Sequence, residues 1–246
     1  ERTMENRSAT RQITEGVIWK QILAFFFPIL LGTFFQQMYN TVDTIIVGRF
    51  VGTQALAAVG TTGPLVNMIN GSSVIAGYSA SVKLNNLVIT SFTTLGNGIS
   101  NYTAQNMGAE KPERIRQGFR AGLKLVWMLS IPLTLLYVFA GKQLLYIFLD
   151  NPTGRAMQVG IQFLRVLAPF YVVVSAKLVS DGILRGAGLM RQFMTATFLD
   201  LILRVVLAKV LSGPFGPLGI WTAWPIGWTI AMVFSVAFYR GGPWKK

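Results

Sequence analysis

Asp43 is the residue whose chemistry is hardest to explain as ordinary packing. It stands directly after a charge-free apolar run, Gln21 to Val42, that is long enough to cross a bilayer. An ionisable group at such a place is costly, so a functional role is the default hypothesis. A carboxylate that is withdrawn from water favours its protonated form, so the chemistry to consider is binding of a proton or another cation.

Other polar side chains share the helix face of Asp43. Gln36, Asn40 and Asp43 recur at i, i+4 and i+7, and Gln37 and Thr44 lie beside them. Lipid cannot solvate such a stripe, so it must face protein or a water-filled cavity. The pattern therefore predicts that this helix belongs to a bundle with a polar centre.

The composition is that of a membrane protein. Hydrophobic residues make up 52% of the chain and charged residues 13%, with a mean hydropathy of +0.50. This excludes a disordered tail and a solvated globular surface. The net charge is +13, but the basic residues lie beside apolar runs, as on the cytoplasmic side of a membrane protein, so we expect no nucleic-acid partner.

The residue types also argue against an enzyme. The chain contains no cysteine and no histidine, so disulfides, thiolate chemistry and the commonest metal ligands are excluded. No nucleophile–base constellation is visible. We therefore expect no catalytic residue, no bound metal and no cofactor.

The predicted fold class is all-α, a polytopic membrane helix bundle. Breakers such as Gly71-Ser72-Ser73 and the Gly213–Pro217 cluster separate the predicted helical segments. The seven segments are 15–48, 53–70, 73–106, 111–149, 153–186, 189–212 and 217–240.

The distribution of basic residues predicts the orientation. They cluster before residue 21, at 111–124, at 185–191 and after 239, whereas the loops 150–155 and 212–218 carry few charges. By the positive-inside rule, six segments cross the membrane, the 53–70 segment is external or half-inserted, and both termini are cytoplasmic. We expect a multi-pass protein of the cell membrane whose 111–124 cluster contacts anionic lipid.

A short internal sequence repeat, called the echo below, does not fit the series of separate predicted helices. Gly52–Ala57 is repeated by Gly71–Ala76 and residues 65–69 by residues 84–88, at a constant offset of 19. Nineteen residues leave no room for a helix and its return, so the echo is not a transmembrane repeat. It indicates that two equivalent positions of a larger duplicated protein have been brought together.

Three stretches resemble one known family. The motif Pro28-Ile29-Leu30 and the run QMYNTVDTIIVGR at 37–49 look like the first helix of multidrug and toxic compound extrusion (MATE) transporters. AQNMGA at 104–109, followed by KPERIR at 111–116, is similar to the loop after the family's eighth helix. ILRGAG at 183–188 resembles the motif that closes its tenth helix.

The resemblance implies a domain organisation. Family members have twelve helices in two six-helix lobes around a substrate cleft. Residues 1–70 look like a first-lobe remnant, helix one and part of helix two, and residues 71–246 like helices eight to twelve of the second lobe. The rest of the first lobe and helix seven would then be missing, which would account for the echo.

The resemblance also implies a function, namely H⁺- or Na⁺-coupled antiport of small amphipathic or cationic compounds. Asp43 would be the cation-coupling residue, and Gln36, Gln37, Tyr39, Asn40 and Thr44 its supporting polar stripe. Because alternating access needs two bodies that move around a shared site, we expect a chain with one body to be inactive alone.

Two further pairs could carry charge within the predicted membrane helices. Lys177 and Asp181, and likewise Asp200 and Arg204, are spaced i, i+4, so each pair can form an intrahelical ion pair. One interpretation is that these pairs are self-neutralised and structural. The other is that Asp181 or Asp200 belongs to a second cation or substrate pathway.

Two alternative functions stay open. A lipid-linked oligosaccharide flippase shares the twelve-helix fold, but it would favour a strongly cationic cavity. A non-transporting subunit would instead pair with a second copy of itself or with another half-transporter. Crosslinking that finds a stoichiometric dimer with a two-fold-related cleft would support the subunit.

Overall fold

The computed structural model describes residues 17–20, 22–23, 63–149 and 154–245. The predicted helix over 15–48 falls almost wholly outside these residues, as do Asp43 and its polar stripe and most of the 53–70 segment. The structure therefore addresses the part of the chain that begins at Gly63.

The described residues form helices joined by turns, with no strand among them, which confirms the all-α fold class. The helices are α1 (Gly63–Gly108), α2 (Pro112–Phe139), α3 (Gly141–Leu145), α4 (Arg155–Leu167), α5 (Tyr171–Gly186), α6 (Met190–Phe215) and α7 (Pro217–Arg240). A 3₁₀ turn, Ala168–Phe170, joins α4 to α5, and a second one, Pro243–Lys245, follows α7.

Three helical stretches within the described residues are long and apolar enough to cross a membrane. They are Pro112–Phe139, Arg155–Gly186 and Pro217–Arg240, and each corresponds to a predicted crossing. Helix α6 carries four charged residues along its length, Arg191, Asp200, Arg204 and Lys209, and is not among the three. The total of six crossings stays a prediction.

The predicted break at Gly71-Ser72-Ser73 is wrong. Helix α1 continues through these residues and contains 46 residues in all. Glycine and serine weaken a helix but keep the backbone N–H that proline lacks, so cooperative extension from both sides can carry the helix through them. The predicted boundary between 1–70 and 71–246 lies inside this helix and stays a prediction.

Two other predicted bounds need correction. The segment 111–149 is not continuous: α2 ends at Phe139 and the short α3 begins at Gly141. Gly141 is buried where α3 packs on α4, and a Cβ at this position would lie 3.3 Å from Cδ1 of Leu164. Helix α6 extends to Phe215 rather than residue 212. It ends where Gly216 adopts a φ of 57°, a conformation that glycine adopts without strain.

The chain divides into two compact units. One contains Ser91–Ile131 and Phe170–Lys246, and in it α7 packs against both α6 and α5. The other contains Pro132–Pro169 and the part of α1 that ends at Thr90. Within this second unit, the Tyr137 hydroxyl donates a hydrogen bond of 2.9 Å to the Leu84 carbonyl oxygen. The charged pairs predicted from the sequence both lie in the first unit.

Candidate functional site

The charged side chains inside α5 and α6 form the candidate site among the described residues. Lys177 and Asp181 lie on α5, and Asp200 and Arg204 lie on α6. The other predicted site residues, Gln36, Gln37, Tyr39, Asn40, Asp43 and Thr44, fall outside the described residues. Their roles stay predictions.

Lys177 and Asp181 form a buried ion pair. The Lys177 Nζ atom lies 2.7 Å from Oδ2 of Asp181, and the two side chains are 7% and 3% exposed. The other carboxylate oxygen, Oδ1, accepts a hydrogen bond of 2.6 Å from the Ser235 hydroxyl on α7. Both oxygens of Asp181 therefore have a donor, which is what makes a buried charge tolerable. The i, i+4 spacing predicted this ion pair correctly.

Helices α1 and α5 are in close backbone contact next to this pair. A Cβ added to Gly182 would collide with the Gly96 carbonyl oxygen, and one added to Gly186 would collide with that of Ser100. A Cβ on Gly96 would in turn lie 2.8 Å from the Leu178 carbonyl oxygen. Small residues spaced four apart on both helices allow this approach, as in membrane helix pairs generally. The packing excludes water from the turn of α5 that carries Asp181.

Asp200 and Arg204 form a second pair with a different geometry. An Arg204 guanidinium nitrogen lies 2.7 Å from Oδ2 of Asp200, and the guanidinium stands 5.0 Å from the centre of the Trp224 ring. Within the described residues, Oδ1 of Asp200 and Nε of Arg204 are buried without a hydrogen-bond partner. Oδ1 points at the α7 backbone, where a Cβ on Gly227 would lie 2.7 Å away. This pair is therefore held by one hydrogen bond where an arginine and a carboxylate can form two.

Helix α7 contacts both pairs but at different levels. Ser235 contacts the first pair and Gly227 the second. The eight residues between them correspond to about 12 Å along the helix axis. The two pairs thus form separate sites along α7 and share no side chain in the contacts above.

Ser235 and a third polar contact were missed by the sequence analysis. Arg185 donates a hydrogen bond of 2.9 Å to the side-chain oxygen of Asn97 on α1 and lies 5.4 Å from the Phe193 ring centre. A single serine within the apolar stretch of α7, and an arginine in the ILRGAG motif, were the available signals. Neither signal identifies a partner 54 or 88 residues away.

The described acids do not form a metal site. No group of three acidic, histidine or cysteine side chains comes together in 63–149 and 154–245 or in the short stretch before them. Asp181 is already engaged by a cation, and the positive charge of Lys177 opposes binding of Na⁺ at the same carboxylate.

Comparisons with known proteins agree on one family. Residues 63–210 match the family model MatE. The chain is 24% identical over 202 residues to the probable multidrug resistance protein YpnP of Bacillus subtilis (strain 168), covering 81% of this chain and 45% of that protein. It is 23% identical over 188 residues to the probable multidrug resistance protein YoeA of the same organism, covering 74% and 40%.

A solved structure agrees with this fold. The inward-facing conformation of a multidrug resistance MATE family transporter of the MOP superfamily superposes with a TM-score of 0.65 at 17% identity, covering 77% of this chain and 44% of that one. The chain thus spans about half the length of the curated relatives and the solved transporter that it matches.

Proposed function

The chain belongs to the MatE family, and from this premise we propose that it forms one lobe of a cation-coupled multidrug antiporter. The match over residues 63–210 carries the proposal, and the names of two relatives, both multidrug resistance proteins, support the substrate class. The substrates would be small amphipathic or cationic compounds, and the coupling ion H⁺ or Na⁺. The lobe would lie in the cell membrane with both termini in the cytoplasm.

Transport by this lobe would require a second one. Alternating access moves two bodies around a central site, and the chain spans about half of its relatives. We propose that a second copy or another half-transporter supplies the other body. A single isolated copy would then be inactive.

Asp43 would be the coupling carboxylate of this assembly. The acids described inside α5 and α6, Asp181 and Asp200, are each paired with a cation on their own helix at 2.7 Å. Such an acid already has a counter-charge, so protonating it would leave a buried cation unpaired. Asp43 has no basic residue within four positions on either side, so an intrahelical ion pair is not available to it.

The pairing of intramembrane cations with carboxylates also argues against the flippase alternative. A cavity for an anionic lipid-linked sugar would need uncompensated positive charge. The buried cation Lys177 and the partly buried Arg204 each have a carboxylate partner. The antiporter lobe is therefore the function that we favour.

Reconstitution at controlled density tests the requirement for two lobes. Purified chain would be placed in vesicles at an average of one copy and of many copies per vesicle, and efflux of a cationic dye driven by a pH or a Na⁺ gradient would be followed. We expect no efflux from single copies and gradient-dependent efflux at high density. Robust efflux from single-copy vesicles would contradict the proposal.

The same vesicles test Asp43. We predict that Asp43→Asn abolishes the gradient dependence of dye efflux, because an amide can neither release a proton nor neutralise a bound cation. Asp150→Asn removes an acid from a predicted external loop and is the matched control, expected to transport like the unchanged protein. Gradient-driven efflux that survives in Asp43→Asn would remove Asp43 from the mechanism.

A further inference from the structure

One end of the first unit is built from aromatic rings and arginines. The Phe119 ring of α2 stacks on Tyr239 of α7, with 3.9 Å between ring centres, and Tyr239 stacks on Trp244 at 5.3 Å. Nε of Arg116 donates a hydrogen bond of 2.6 Å to the Trp244 carbonyl oxygen. The turn after α7 therefore folds back on the first turns of α2, and Trp244 is only 2% exposed.

In a bilayer crossed by α2 and α7, this aromatic stack, Phe119–Tyr239–Trp244, would lie at the membrane surface. Helix α2 begins there and α7 ends there, and both are long and apolar enough to span the bilayer. The start of α2 and the end of α7 are polar and lie at the same level, where the lipid head groups would be. Aromatic rings concentrate at that plane in membrane proteins.

Positive charge is concentrated at the same end of the first unit as the stack. Arg116, Arg120 and Lys124 follow one another at intervals of four on α2 and therefore share a face. Arg116 and Arg120 both lie within electrostatic reach of the Tyr239 hydroxyl, and Arg240 follows Tyr239 directly.

Little negative charge compensates these cations. Glu113, with a 70% exposed side chain, lies 3.4 Å from Arg116. Arg120, Lys124 and Arg240 are exposed, and none of them belongs to the three ion pairs found in the described residues. Arginine favours phosphate groups, because its planar fork donates two parallel hydrogen bonds.

We propose that Arg116, Arg120 and Arg240, which lie at the same end of the first unit as this aromatic stack, bind the phosphate-bearing head group of an anionic membrane lipid. The position favours lipid over soluble polyanions, because the head groups of the surrounding leaflet lie at this level whenever the protein is in a bilayer. The fold-back of Trp244 positions the site by fixing the Arg116 guanidinium. The site does not depend on transport.

Thermal unfolding of the intact chain in detergent tests the site. A lipid that binds only the folded protein raises its Tm. We expect phosphatidylglycerol to raise the Tm at concentrations at which phosphatidylcholine does not. The variant Arg120→Gln/Arg240→Gln should need more phosphatidylglycerol for the same shift, by about fivefold for each charge removed.

The matched control removes two exposed cations from the other unit, Lys142→Gln/Arg155→Gln, and should respond like the unchanged protein. Arg120→Lys/Arg240→Lys keeps the charge but loses the planar fork, so it should restore part of the response, even if the glutamine variant is less stable without lipid. Equal stabilisation by phosphatidylcholine, or an equal loss in the control, would overturn the site. Competition by inorganic phosphate or a short oligonucleotide at the same concentration as the lipid would overturn its assignment to lipid.

Discussion

Replacing Asp181 by asparagine is expected to destabilise the protein by about 3–5 kcal/mol, because it leaves the buried Lys177 ammonium without a counter-charge. The side chains of both residues are less than a tenth exposed, so water cannot take over the role of the carboxylate. For a chain of this length the loss corresponds to a fall in Tm on the order of 10 °C. Tryptophan fluorescence during thermal unfolding in detergent measures it.

Removing both charges should be much less harmful than removing one. In Lys177→Met/Asp181→Leu/Ser235→Ala, neither an unpaired charge nor the unpaired hydroxyl of Ser235 remains. Apolar replacement of a buried ion pair is often neutral or stabilising. We therefore expect this triple variant to recover most of the Tm that Asp181→Asn loses.

A surface pair provides the matched control. Glu113 pairs with Arg116 at 3.4 Å but is 70% exposed, so Glu113→Gln should change the free energy of unfolding by no more than about 1 kcal/mol. If Asp181→Asn and Glu113→Gln had equally small effects, the Lys177–Asp181 pair would be hydrated. The structural interpretation of the pair would then be wrong.

Contacts between residues that are close in sequence could be predicted here, whereas contacts between residues far apart in sequence could not. The pairs Lys177–Asp181 and Asp200–Arg204 were predictable because the i, i+4 geometry is contained within one helix. Helix α7 was predicted with its observed bounds, Pro217–Arg240, because Gly216 and Pro217 mark its start. Ser235 was missed because its partner is 54 residues away, and no local pattern specifies that contact.

The errors in helix bounds also arise because local sequence does not specify contacts with distant residues. Gly71-Ser72-Ser73 looks like a break locally, but neighbouring residues continue the helix through it. The interruption between α2 and α3 contains no proline, and the nearest neighbour of Gly141 there, Leu164, is 23 residues away in sequence. The function of the polar stripe around Asp43 stays a prediction from residue type and spacing, because it lies outside the described residues.

Adding one methyl group to Gly182 is expected to disturb the first unit far more than adding one to Gly213. At Gly182 the new Cβ would collide with the Gly96 carbonyl oxygen, and the Gly96 carbonyl carbon and Cα would lie only 3.1 and 3.3 Å from it. These are backbone atoms, so no side chain can rotate away and α1 must separate from α5. Overpacking of this kind destabilises by roughly 1–3 kcal/mol even where neighbours can adjust.

Gly213→Ala adds the same methyl group at a position that no other helix contacts closely. No atom outside the two chain neighbours lies within 4 Å of the added Cβ, and the residue is helical. The higher helix propensity of alanine favours the substitution, whereas Pro214 disfavours a helical residue with a Cβ before it. The free energy of unfolding should therefore change by no more than about 1 kcal/mol. The Tm of Gly182→Ala should therefore fall clearly, while that of Gly213→Ala should change little. Separation of α1 from α5 would also let water reach Asp181, so the destabilising effect of Asp181→Asn should shrink in the Gly182→Ala background. Strictly additive effects of the two substitutions would show that the close helix contact does not keep the ion pair dry.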